Sequence, residues 1–148
     1  MSTERVTAEW LADQAFLLKD HKGFPIIMSQ PMGVLGADLL PLSLIGCAGW
    51  DVMSILRKQK QPVLGCEVEA ESERDDEPPW QFRRIHVVYK IWGRGLDRTA
   101  VERAIRLTED KYCSVFVTLK AAVEITSGYE LLTEEPTPRN SSAQTPPA

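Results

Sequence analysis

A chain of 148 residues with 43% hydrophobic and 26% charged content is sized for one domain with a single core and has an ordinary globular composition. Its net charge of −4 argues against a nucleic-acid partner, which calls for a basic patch, and no basic amphipathic stretch suggests a membrane surface. The opening MSTERVTAEW lacks an apolar signal core, and the longest apolar run, Leu39 to Trp50, contains Pro41 and stops at Asp51; the expectation is a cytoplasmic protein without a membrane span.

From Thr7 to Leu18 the pattern alternates loosely, with Trp10, Ala12, Phe16 and Leu18 on one side and Asp13 and Lys19 on the other. DHKG at 20–23 reads as a turn and FPIIMS at 24–29 as a returning strand, which predicts an N-terminal hairpin. A loop, 30–36, leads to Asp38, which reads as the N-cap of a helix reaching about Lys60. Pro41 sits in its first turn, where a missing N–H costs little. LLPLSLIGCAGW is apolar around the whole circumference, so the helix is expected to be buried on nearly all sides, while RKQKQ returns to solvent. Gly46, Ala48 and Gly49 would admit another element close to its backbone. Such a helix is about 33 Å long, more than one small domain can wrap, and a dimer that encloses it is expected.

PVLGCEVEAESE at 62–73 alternates, placing Leu64, Cys66, Val68 and Ala70 on one face and Glu67, Glu69 and Glu71 on the other. RDDEPPW is a charged loop. FRRIHVVYKIWG at 82–93 is the partner strand, with Ile85, Val87, Tyr89 and Ile91 on its apolar face. Asp97 caps an amphipathic helix with an Ala100, Val101, Ala104, Ile105 stripe. Thr108 reads as a second cap, for a helix through about Leu119, and a strand covers 122–131. The order ββ–α–ββ–αα–β gives an α+β domain over 1–133. The Pro/Ser/Thr-rich segment 134–148 is expected to be a disordered tail.

Three cysteines, Cys47, Cys66 and Cys113, with no CxxC pair exclude a secreted disulfide framework and most zinc sites, so neither metal nor cofactor is expected. Cys66 belongs to the apolar face of its strand and reads as packing. Cys47 stands alone in an apolar helix, and Cys113 lies about one turn into its own helix; taken singly, each is either a small buried hydrophobe or a reactive thiol. His21 in a turn, and His86, Arg83, Arg84 and Lys90 on a polar strand face, read as surface residues.

The run IGCAGWDVMSILRKQKQPVLGCEVEAESERDDEPPWQFRRIHVVYKIWGRGLD, followed by AVERAIRLTEDKYCSVFVTLKAAVEIT, resembles the OsmC/Ohr family, in its YhfA-like branch rather than the organic-hydroperoxide-resistance branch. The likeness spans about Gly36 to Leu131. It implies an OsmC-like fold: antiparallel sheets around a long buried central helix, in an intertwined homodimer with active sites at the interface. Carried over residue by residue, it makes Cys47 the peroxidatic thiol and Cys113 the resolving thiol of a hydroperoxide reductase, recycled by an external dithiol. The alternative is a non-catalytic dimer of the same fold that binds a small apolar ligand.

Active members of that family use an N-terminal arginine held by a glutamate just before the central helix. Arg5 is the only arginine before Arg57 here, and Asp38 stands at the glutamate position. Asp51 falls at i+4 from Cys47, on the same helix face, and needs a partner if buried. Lys111 and Arg106 are the expected partners, with Lys111 beside Cys113 offsetting the charge.

Overall fold

The computed structural model describes residues 1–137; the rest of the expected tail, 138–148, lies outside the described residues. The chain divides into two compact units, one ending at Leu44 and the other starting at Ile45.

In the first unit, β1 (Thr7–Ala12), β2 (Ala15–Lys19) and β3 (Pro25–Met28) form an antiparallel meander in the order β1-β2-β3. The expected first strand is therefore two. The chain reverses at Asp13, whose φ of 46° is left-handed and whose carbonyl accepts a hydrogen bond from Trp10 Nε1 at 3.0 Å. Aspartate tolerates that conformation better than most residues, and the alternation on either side hid the break. The second turn is as expected: the Asp20 carboxylate accepts the Lys22 and Phe24 N–H groups, an Asx-type closure.

The helix α1 (Leu39–Lys58) begins on the Asp38 carbonyl, which accepts the Leu42 N–H at 3.0 Å. The Asp38 carboxylate is exposed and caps nothing among the described residues. By length and composition α1 could cross a membrane. One side of it is a core helix: Ala48, Val52 and Leu56 have no exposed surface, and a Cβ on Gly49 would lie 3.1 Å from Val68 Cγ2. The opposite stripe is open, with Trp50 76% exposed and Leu42 48% exposed. The expectation of a helix buried on nearly all sides thus fails within one chain, because a single sheet can cover only one face.

The second unit holds the sheet β4-β5-β6, from β4 (Val63–Arg74), β5 (Phe82–Gly93) and β6 (Glu124–Leu132). Ile85, Val87, Tyr89 and Ile91 are wholly buried, the face that alternation predicted. Their β4 partners Ala70, Val68 and Cys66 share that face. Leu64 leaves it and is 70% exposed, because an irregularity between Val63 and Gly65 shifts the register. β4 and β5 are antiparallel, whereas β6 runs parallel to β5, a departure from all-antiparallel sheets. The helical segment between them is the crossover that parallel neighbours require.

That crossover is α2 (Arg98–Leu107), a five-residue π-helical segment (Thr108–Tyr112) and α3 (Ser114–Leu119). Asp97 caps α2 as expected, accepting the Thr99 N–H at 2.9 Å, and Val101, Ala104 and Ile105 face the core. Thr108 is not the N-cap of a new helix: it closes α2 as its C-cap, with αR geometry that runs on into the π-helical segment. The cap of α3 is Cys113, extended at φ −78° and ψ 102°, whose sulfur accepts the Phe116 N–H at 3.4 Å. Cys113 is thus at the head of its helix rather than a turn inside it.

Gly65 is held open by an indole. A Cβ there would come within 2.3–2.8 Å of three Trp92 ring atoms. Gly65→Ala is therefore expected to lower stability by about 1–3 kcal/mol, as overpacking does, read from the urea midpoint. Combining it with Trp92→Leu should return part of the loss. Equal midpoints for Gly65→Ala and the parent chain would contradict this packing.

Candidate functional site

The site grows from one turn of α1. Cys47 and Asp51 are four residues apart, so both side chains leave the same flank of the helix, beside the buried Ala48 and Val52. Cys113 arrives from the other direction, at the junction between the π-helical segment and α3. Its N–H reaches back to the Thr108 carbonyl at 2.9 Å. That wider π turn, together with the extended cap, turns the thiol toward α1. The Cys47 and Cys113 sulfurs and an Asp51 carboxylate oxygen all lie within 4.8 Å of one another.

Within the trio the environments differ. Cys113 has no exposed surface, while Cys47 and Asp51 are half-buried. Burial first, and then the hydrogen bond to Cys47, push the Cys113 thiol up to about 11. It therefore holds its proton at neutral pH and is the donor of the pair. Burial alone raises the Asp51 carboxyl above the ordinary aspartate range. Cys66 stands apart from this trio, paired with Ile91 across the sheet. Burial, followed by the charge of Glu67, pushes it up to about 11 as well.

The expected cations do not come to Asp51. Lys111 and Arg106 are both exposed, and neither forms an ion pair with it among the described residues. Their place on the π-helical segment and on the outer side of α2 explains this, since the inner side of α2 is taken by Ala104 and Ile105. The expected role for Lys111 is thereby withdrawn. Arg5 and Asp38, both in the first unit, are exposed.

The other charged candidates are engaged elsewhere. Arg83 makes a two-pronged ion pair with Asp75, at 2.7 and 2.8 Å, and Arg84 pairs with Glu73 and Glu124. Lys90, expected on a solvated face, is buried between Glu67 and Glu69, with Nζ 2.6 Å from Glu69. His86 shares a 2.7 Å hydrogen bond with Thr126. Beneath the site, the Tyr89 hydroxyl donates to Glu109 at 3.2 Å. Burial outweighs that bond and the one from Ser127, and raises the Glu109 carboxyl.

A cavity of about 370 Å³ opens at Asp51, walled by Ile55 and Leu107 and rimmed by Ser54, Lys58, Gln59 and Tyr112. Gln59 Oε1 is buried without a hydrogen-bond partner among the described residues. The sequence pattern alone does not locate this cavity. Its α1 wall could have been drawn from the i, i+4 and i+7 spacing of Asp51, Ile55 and Lys58, but its α2 side could not.

The profile of the OsmC-like protein family matches residues 31–128. The chain belongs to the OsmC-like family. Protein YhfA of Escherichia coli strain K12 is 38% identical over 127 residues, covering 84% of this chain and 95% of YhfA. A hypothetical protein from Aquifex aeolicus superposes with a TM-score of 0.82 at 29% identity, over 91% of this chain and all of that one. The organic hydroperoxide resistance protein OhrB of Bacillus subtilis gives a TM-score of 0.58 at 17% identity, covering 87% and 98%; that likeness is one of fold. In this OsmC-like chain the two cysteines expected to work together do meet, with Asp51 as a third member.

Proposed function

We propose that this OsmC-like protein is a thiol-dependent hydroperoxide reductase with Cys47 as the peroxidatic and Cys113 as the resolving residue. The observation that carries the reading is the meeting of these two thiols, delivered by α1 and by the head of α3, with Cys113 as the proton donor. The organic-hydroperoxide-resistance name of a protein sharing its fold supports the substrate class.

The roles follow from burial. Cys47 is the accessible sulfur and meets the substrate; Cys113 is shielded, and keeps its proton until the first step is over. In that step the Cys47 sulfur attacks the distal peroxide oxygen. The O–O bond breaks, a Cys47–OH bond forms, and the alkoxide leaves to be protonated as the alcohol. Cys113 sulfur then attacks the sulfenic sulfur, giving a Cys47–Cys113 disulfide and water. An external dithiol exchanges with that disulfide, restoring both thiols and becoming oxidised itself. The apolar walls of the cavity beside Asp51 favour an organic hydroperoxide over hydrogen peroxide.

The active form is a homodimer. Leu42, Gly46 and Trp50, spaced by four along α1, make an exposed apolar stripe opposite the buried one, and a second copy of the chain would cover it.

Two experiments test these statements. Cys113→Ser, treated with one equivalent of cumene hydroperoxide, should accumulate a dimedone-reactive sulfenic acid on Cys47, seen by mass spectrometry; an unlabelled Cys47 would sink the peroxidatic assignment. In sedimentation, the parent chain should run as a dimer at micromolar concentration and Trp50→Glu should shift toward monomer. A monomeric parent would remove the proposed interface.

A further inference from the structure

The carboxylate beside the two thiols has no part in the cycle above. Asp51 is half-buried on an apolar helix, yet it forms no ion pair among the described residues. A carboxylate placed this way costs free energy unless a positive charge or a donor meets it. Two sulfurs lie against it, and all three ligand atoms are within 4.8 Å of each other.

We propose that the reduced protein binds one thiophilic divalent cation, zinc in kind, through Cys47 Sγ, Cys113 Sγ and an Asp51 carboxylate oxygen. Zinc–sulfur bonds of about 2.3 Å and zinc–oxygen bonds of about 2.0–2.2 Å set the edges of a tetrahedral site at roughly 3.5–3.8 Å. Ligand atoms already within 4.8 Å need only small side-chain rotations to reach those edges. The i, i+4 pair on α1 supplies two ligands from one helix face, the arrangement used by helix-borne zinc motifs. Cys113 supplies the third from a separate element. Two thiolates with one oxygen select zinc, cadmium or cobalt over magnesium and calcium, which prefer oxygen alone.

Three protein ligands leave the fourth position open, on the side where the cavity begins at Asp51. Binding releases the two thiol protons to solvent and transfers no electrons. The dication meets the Asp51 carboxylate and both thiolates at once, which supplies the charge that Lys111 and Arg106 do not.

Metal binding stands on the three-residue cluster alone; its coupling to the redox cycle rests on the function proposed above. A bound metal slows the attack of both sulfurs on peroxide without abolishing it. Oxidation of the loaded site by a hydroperoxide takes up two protons, yields the disulfide, the alcohol and water, and sets the cation free. The disulfide form has no thiolates left to bind it.

Cobalt is the probe. Reduced, metal-free protein titrated with Co²⁺ under anaerobic conditions should show thiolate-to-cobalt charge transfer and tetrahedral ligand-field bands, saturating at one ion per chain. Asp51→Asn, which keeps the side-chain shape, should weaken binding at least about tenfold. Cys47→Ser should lose much of the charge-transfer intensity, and Cys66→Ser should match the parent. Absent charge transfer in the reduced parent, or equal affinity in Asp51→Asn, would overturn the site. Circular dichroism of each variant identifies a loss of fold. Cobalt binding by a protein that never consumes hydroperoxide would uphold the metal site and defeat the peroxidase reading; turnover without cobalt binding would do the reverse.

Discussion

The seating of α1 on its sheet decides nearly everything else in this molecule. A glycine, Gly49, lets the helix come down on Val68, with a hypothetical Cβ only 3.1 Å from that side chain. Ala48, Val52 and Leu56 are buried along the same side. Once that side is fixed, the 3.6-residue period places Cys47 and Asp51 on the flank, where they are half-buried and accessible. The same rotation leaves Trp50 outward. One packing choice therefore orients a thiol, a carboxylate and an unmet apolar stripe together.

The second constraint is the direction of β6. Because it runs parallel to β5, the chain must cross from one end of the sheet to the other, and it does so through α2, the π-helical segment and α3. The crossover is where Cys113 enters. A π turn ahead of it and an extended cap conformation at Cys113 break what would otherwise be one continuous helix. That break turns the sulfur toward Cys47. The cap bond from the Phe116 N–H and the thiol–thiol contact both use the Cys113 sulfur, so this cysteine closes a helix and completes the site at once.

Much of this was legible in the sequence, for physical reasons that differ from element to element. In strand β5 every second residue from Ile85 to Ile91 is apolar, and those four, Ile85, Val87, Tyr89 and Ile91, have no exposed surface. Asp97 announced α2 because its carboxylate satisfies a local N–H, a strictly nearest-neighbour effect. Long-range circumstances were harder to read. Lys90 looks solvated in a period-2 pattern, but Glu67 opposite it and Glu69 diagonal to it cover its ammonium. The apolar circumference of α1 records every surface it meets, without saying how many chains supply them. Thr108 and Cys113 compete for the same cap, and only the backbone turn between them chooses.

Family resemblance pairs Cys47 with Cys113, neither of which is persuasive alone, and the fold brings the two together. The cation partner expected for Asp51 is not found among the described residues, and the carboxylate faces two sulfurs. Whether these sulfurs form a working pair is the central claim, and disulfide connectivity tests it most directly. After one equivalent of cumene hydroperoxide, tryptic mapping without reduction should find a Cys47–Cys113 linked peptide, with Cys66 still free. Three free thiols, or a linkage that includes Cys66, would contradict the account.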